Sequence, residues 1–320
     1  MIKYIIKKLF FVLINISPFS EVLMRKVYWN NISRTSKFRP KQRNSNTNFK
    51  RINFNSIIDN LKNRGIGNGS TIVVHSSYDL LEASGLLPEE INSKLLELVG
   101  TDGTLVMPVI RKYKEEGNFE KHIIINMDSV ECTYNVQKSK IVSGLLPYML
   151  MQRHDSFVSR FPLNPVVAVG KHAKKMIEKN LEGDKPTPHG PNSAWKYCVD
   201  NNAIVIGLGV DMPHFLTITH VNEECSEDWP IKNWYRNRKF IIIDKGFKAQ
   251  KEVLERKPIW GSIYLAENKY RKDLIRNDIM KIETVEGLKI SMIESNKLIH
   301  YLHNHSQKGY PYYVRSKFLI

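Results

Sequence analysis

The sequence predicts an α/β fold, and three observations carry that reading. A β-α-β order appears early: STIVVH (Ser70 to His75) is a short buried-type strand, Pro88 to Val99 a helix, and TLVMPVI the next strand. Strand-like and helix-like stretches go on alternating after that. Apolar residues make up 42% of 320 residues, enough to fill one large core or two smaller ones, which excludes collagen-like and wholly disordered classes.

The elements follow in chain order. The opening MIKYIIKKLFFVLINISPFSEVLMRKVYW puts Ile2, Ile5, Ile6, Leu9, Leu13 and Ile16 on or near one side of a helix, with Lys3 and Lys7 elsewhere. Three readings are open for it: a helix lying in an anionic membrane surface, a helix packed on its own domain or a partner subunit, and a signal or anchor. No convincing small-x-small cleavage site follows, and the apolar run is far shorter than the roughly 18 residues a spanning helix needs. The surface helix fits best. Ser33 to Asn55 is polar, basic and poor in aliphatics, and reads as a linker or a strapped-down arm. The expected organisation is therefore a basic amphipathic arm and linker over 1–49 and one folded domain over 50–320.

Within the domain, Ile57, Ile58 and Leu61 set a helix from Phe54 to Arg64 that ends before Gly65 and Gly67. Pro88 suits a first helical turn, and Ile91, Leu95, Leu96 and Val99 form the buried stripe. Gly100-Thr101-Asp102-Gly103 turns the chain into the next strand. Ser143 to Gln152 and Lys171 to Glu178 read as helices, and Val166 to Val169 and Ala203 to Leu208 as strands. A hairpin is expected around Lys245-Gly246, between Lys239–Asp244 and Phe247–Leu254. Helical stretches are expected at Ser262–Asn268 and Met292–Asn304.

The net charge is +16, and residues 1–51 hold twelve Lys or Arg against the single acid Glu21, so the arm carries +11 of it. The remainder is only mildly basic. The arm's aromatic residues are not interleaved as a stacking platform, so no nucleic-acid partner is expected. Cys132, Cys198 and Cys225 form no CxxC pair, which removes a disulfide scaffold and a cysteine-based zinc knuckle and fits a reducing compartment. The expected setting is the cytoplasm, with a peripheral position at the inner membrane surface left open.

Four stretches carry possible chemistry. Strand–VHSSYD–helix would point backbone N–H groups outward, which suits phosphate, although an ordinary β-α loop with a serine cap has the same letters. IVIGLGVDM has two glycines after a strand, but Met212 stands where a dinucleotide fingerprint needs glycine, so a nicotinamide site is rejected. In TITHVNEE, His220 and Glu223 share a helical face if the stretch is helical. A carboxylate beside an imidazole orients it and raises its basicity, as a general base requires. A satisfied core histidine, or a metal site with His189 or His214 as third ligand, would read the same way. Gly183 to Ser193, rich in proline and glycine, must be a loop of the kind that often lines a site.

Together, in order, VHSS, VGTDGTLVMP, SRFPLNPVVAVGKHA, PHGPNSAW and VIGLGVDMPHFLTITHVNEE resemble the aminoglycoside 3-N-acetyltransferase family from about residue 54 to the C-terminus. The resemblance implies an antibiotic N-acetyltransferase-like fold, a central mixed sheet flanked by helices, here with a basic N-terminal amphipathic extension. It implies acetyl-CoA as acetyl donor, no metal, and direct transfer to a primary amine. The family's T-x-x-H-x-x-E matches Thr217, His220 and Glu223, with His220 as the base and Glu223 orienting it. Its V-H-x-S loop near CoA matches Val74, His75, Ser76 and Ser77, and its GTLxMP block runs from Gly103 through Thr104 to Pro108. Ser159, Arg160 and Phe161 occupy its R-S-x-H-P stretch. His189, Asn192, Ser193 and Thr217 are expected on the acceptor side.

The departures narrow the acceptor. Val158 and Phe161 replace the family's Arg and His, which leaves Arg160 as the candidate substitute for the lost cation. Tyr148 stands where relatives carry a glutamate after Gly144, and Ala194 follows Ser193 where relatives have proline. A polycationic antibiotic would want carboxylates, so the expected acceptor is an amino sugar of cell-surface polysaccharide or lipopolysaccharide synthesis. Aminoglycoside 3-N-acetylation proper, a non-catalytic membrane-docked scaffold, and a metal-assisted hydrolase using His189, His214, His220 and Glu223 are the alternatives. An anionic membrane surface contacting residues 1–43 and an oligomer are the other partners left open.

Overall fold

The computed structural model describes residues 12, 16–31, 51–117, 123, 126–306, 308 and 310–314. Ile2, Ile5, Ile6, Leu9 and Leu13 of the arm, and most of its linker, lie outside them. The main sheet is formed by β1 (Thr71–Ser76), β2 (Thr104–Pro108), β4 (Phe157–Val158), β5 (Val166–Gly170), β6 (Ile204–Leu208), β9 (Met280–Val285) and β10 (Leu288–Glu294), in the order β4-β5-β2-β1-β6-β10-β9. Its centre, β2-β1-β6, is parallel, and the outer pairings are antiparallel, so the sheet is mixed.

The central strands are continuous apolar runs because both faces are covered. Val73, Val106 and Val205 face one core with Trp195, Phe215 and Leu298, while Ile72, Val74 and Leu105 face the other with Leu61, Ile91 and Leu146. On that second side, helix Phe54–Asn63 is capped by Asn53, whose side chain accepts the Asn55 N–H at 3.1 Å. Helix Pro88–Val99 has proline in its first turn, and Glu90 accepts the Leu87 N–H at 2.7 Å.

A second sheet joins β3 (Glu131–Asn135) to β7 (Tyr235–Asp244) and β8 (Phe247–Arg256), in the order β3-β7-β8. Lys245 and Gly246 turn the β7–β8 hairpin, both with positive φ. Arg238 of β7 is wholly buried and holds Glu116 at 2.8 Å and Glu255 at 2.9 Å.

Two C-terminal expectations are corrected. Ser262–Asn268 is not one helix: a wide π-helical turn covers Trp260–Tyr264, the chain breaks at Leu265 and Ala266, and the α-helix begins at Glu267 and runs to Arg276. Met292 lies in β10, and the last helix is Ser295–Ser306. The β9–β10 hairpin turns at Glu286-Gly287 with positive φ at both residues, as the β7–β8 hairpin does at Lys245-Gly246, but its strands lack an apolar run like the Phe240–Ile243 stretch of β7.

Part of the arm packs on the domain. Helix Pro18–Asn30 starts at a Ser17–Ser20 capping box. Its inner side buries Val22 against Ala266, pairs Arg25 with Glu267 at 2.6 Å, and donates the Trp29 indole N–H to the Ser262 carbonyl at 2.9 Å. No helix among the described residues is long and apolar enough to cross a membrane.

Candidate active site

A cleft of about 710 Å³ opens where the loops after β2 and β6 meet the second sheet and the C-terminal tyrosines. Its wall includes Arg111, Lys112, Asn164, His189, Thr217, His220, Glu224, Arg256 and Tyr313, with Arg25 and Glu267 at the contact of the N-terminal helix.

His220 opens the short helix His220–Cys225, straight after the tight turn Thr217–Thr219. Three residues on, Glu223 lies on the same face, and its Oε2 sits 2.6 Å from His220 Nδ1. The Glu223 side chain has no exposure to solvent. Burial alone would raise its pKa; His220, Arg256 and Tyr313 outweigh that and hold the carboxyl down at about 2. Tyr313 donates its O–H to Glu223 Oε1 at 2.6 Å, and Arg256 donates to the Tyr313 oxygen at 2.8 Å. An ionised carboxylate can only accept, so the proton between it and His220 belongs to Nδ1. The imidazole's Nε2 is then the bare nitrogen, and no described side chain takes it. Burial, helped by Arg256, lowers the His220 pKa despite Glu223, so the ring is neutral at neutral pH. The arrangement is a neutral imidazole, fixed in one tautomer, with a free lone pair on the ring that lines the cleft.

His189 is built the other way. Its ring stands 5.1 Å from that of His220. Its Nδ1 meets Glu224 Oε1 at 3.0 Å, its backbone N–H reaches Glu224 Oε2 at 2.7 Å, and its Nε2 meets the Asn164 amide at 3.3 Å. Both nitrogens are occupied and the side chain is buried. Among the described residues no three His, Cys, Asp or Glu side chains gather as a metal site needs.

The aminoglycoside 3-N-acetyltransferase family model matches residues 73–306. The chain belongs to this family. It is an N-acetyltransferase by that membership, and the family's fold accounts for the mixed sheet. Among solved structures, it is similar to aminoglycoside acetyltransferase AAC(3)-Xa at 17% identity and TM-score 0.65, covering 79% of this chain and 92% of that one. It is similar to AAC-IIIb in binary complex with CoASH at 18% identity and TM-score 0.64, covering 82% and 98%. A mutant of AAC(3)-IVa in complex with a gentamicin matches at 17% identity and TM-score 0.61, covering 85% and 94%. No curated protein sequence matches the chain.

Within this acetyltransferase, His189, Thr217 and His220 come together at the cleft, with Glu223 behind His220. The other residues singled out from the sequence do not line it. His75 is buried in β1, its ring stacked near Trp195 at 6.2 Å and set edge-on to Phe215 at 6.4 Å. Ser76 ends β1, and Ser77 precedes the next helical turn without a side-chain cap. The Thr104 hydroxyl accepts the His172 N–H at 3.0 Å, and Pro108 ends β2, whose continuation through Ile110 and Arg111 does reach the cleft. Ser159 donates to Asn180 Oδ1 at 2.7 Å, Phe161 is buried beside Tyr134, and Arg160 pairs with Asp244 at 2.8 Å over the Phe247 ring. The Asn192 carbonyl accepts from Asn180, and Ser193 caps helix Ala194–Asp200. The glycines of IVIGLGVDM serve packing: a Cβ on Gly209, at φ +67°, would meet the Leu80 and Leu288 side chains at about 3 Å.

Sequence reasoning missed Glu224, Asn164, Arg256 and Tyr313. Glu224 left a trace as the second acid of HVNEE, and Asn164 as part of SRFPLNPVVAVGKHA. Arg256 ends a hairpin and Tyr313 lies 90 residues beyond Glu223, so only the tertiary fold joins them.

Proposed function

We propose that the protein acetylates a primary amine of an amino sugar, using acetyl-CoA as donor and His220 as general base. The observation that carries this is the chain Arg256–Tyr313–Glu223–His220, which leaves His220 Nε2 bare at the cleft. Acetyl-CoA supplies an activated thioester carbonyl. A protonated amine cannot attack it, so His220 Nε2 removes the amine proton and can return it to the departing sulfur. Glu223 stays ionised and stabilises the imidazolium that forms. The cleft volume suits a pantetheine arm and a sugar ring together. Exposed Lys112 lines the cleft with no carboxylate partner among the described residues, and so is a group suited to the donor's phosphates; Arg111 beside it is buried and spends its guanidinium on the Ser139 and Val136 carbonyls.

Gentamicin-type aminoglycosides, the acceptors held by a relative of this fold, are the first acceptors to test. One observation favours a less cationic amino sugar as the second reading. The cleft's carboxylates are already engaged: Glu116 and Glu255 with Arg238, Glu267 with Arg25, Glu224 with His189. A polysaccharide setting rests on that pairing and on Tyr148 standing where relatives carry a glutamate. The test is release of free CoA on mixing protein and acetyl-CoA with a panel of aminoglycosides and of neutral or nucleotide-linked amino sugars. Amine-dependent release identifies the acceptor class. CoA binding without release to any amine would sink the acceptor reading.

A further inference from the structure

Helix Pro18–Asn30 has two finished faces, and among the described residues only one of them meets protein. The inner face carries Val22, Arg25 and Trp29, at intervals of three and four residues, all engaged with the Ser262–Asn268 region. The outer face carries Phe19, Leu23 and Val27, each four residues from the next, so they fall in one stripe. They are 57%, 49% and 48% exposed. Val12 and Ile16, just before the helix, are exposed as well. A row of large apolar side chains turned to water in one stripe marks a contact surface.

The charge of the sequence on either side of the row says what covers it. Residues 1–51 hold twelve basic residues and one acid, and that acid, Glu21, is buried under Arg25 and the Asn268 N–H. The apolar row therefore lies within a strongly basic stretch of sequence, and that combination is the chemistry of an interfacial helix on anionic lipid. A second copy of the chain would bring the same positive charge against itself.

We propose that Pro18–Asn30 docks the enzyme on an anionic lipid surface through Phe19, Leu23 and Val27. The consequence for the site is direct. Arg25, on the opposite face, lines the catalytic cleft, so the cleft wall stands about one helix diameter, roughly 10 Å, from the lipid. Such an enzyme works on amines held at or near a membrane.

The test is flotation of the full chain with vesicles of phosphatidylglycerol and phosphatidylcholine, and with phosphatidylcholine alone, at low and high salt. Binding to the anionic vesicles, weakened by salt, is expected. The double substitution Leu23→Gln, Val27→Gln should lower the bound fraction about tenfold while the far-ultraviolet circular dichroism stays the same. Absence of binding to anionic vesicles overturns the proposal, as does equal binding to neutral ones or unchanged binding by a folded double variant. So does a wild-type dimer that the same substitutions dissociate, because the row would then be a subunit interface. If the variant does not fold, the lipid and salt dependence of the wild-type chain decides.

Discussion

His220 and His189 stand 5.1 Å apart, and each meets a glutamate through Nδ1, yet they are built for different work. Glu223 gives His220 one contact and leaves the second nitrogen to the cleft. Glu224 takes both the ring and the backbone N–H of His189, and Asn164 takes what remains. A carboxylate beside a histidine is therefore not the mark of a base. The mark is a free second nitrogen on a ring that reaches the cleft. The largest effect should come from testing this directly. His220→Ala is expected to lower kcat about 10²–10⁴-fold while CoA affinity holds, read by free-CoA release and by calorimetry. An equal loss of CoA affinity would place His220 in donor binding instead.

His75 extends the comparison to a histidine with no acid at all. Burial lowers its pKa to about 4, against which its bond with the His214 backbone works only weakly, and its Nε2 has no partner among the described residues. Below about pH 6.5 the unfolded chain takes up a proton that the folded one refuses until about pH 4. Stability from this residue is thus complete above pH 6.5 and is lost as pH falls through that window, by about 3 kcal/mol. Denaturant unfolding at pH 7 and pH 4.5 should show His75→Gln losing less stability across the interval than the wild type. Equal losses would show that His75 already titrates normally in the fold.

Glu224→Gln tests the other pair. It keeps the shape and removes the charge that holds His189, so it should cost about 1–3 kcal/mol of stability, seen as a lower melting temperature. The pH dependence of acetyl transfer should not move. If it does, His189 shares in the proton transfer and the contrast between the two pairs fails.

Much of the fold could be read because it obeys periodicity. STIVVH, Pro88–Val99 and TLVMPVI behave as buried strands and an amphipathic helix must, and they set the parallel centre of the sheet. β3 and the β9–β10 hairpin escaped because their strands mix charged and apolar residues, without the continuous apolar run that marks β7. In the site, His220 and Glu223 could be read because they are local, three residues apart on one helical face. Thr104 and Ser159 lie in the quoted blocks but spend their hydroxyls on holding the fold, at His172 and Asn180. Tyr313 and Arg256 could not be read, since nothing near either one in the chain points toward Glu223.

Tyr313 is also the finest test of the contrast, because Glu224 has no such tyrosine bonded to it among the described residues. Tyr313→Phe removes one hydroxyl and leaves the ring packing. Glu223 then loses the donor at Oε1, and Arg256 loses its bond to the tyrosine oxygen. With less of its charge spent on Tyr313, the carboxylate holds the imidazolium more tightly, and the His220 pKa rises. The acid limb of the rate profile should move to higher pH, and transfer should fall about tenfold, in keeping with one hydrogen bond to a charged group. A tyrosine that only filled space would leave the limb where it was. A fall in rate without that shift would mean that Tyr313 supports the cleft wall, and that Glu223 is held by Arg256 through the field alone.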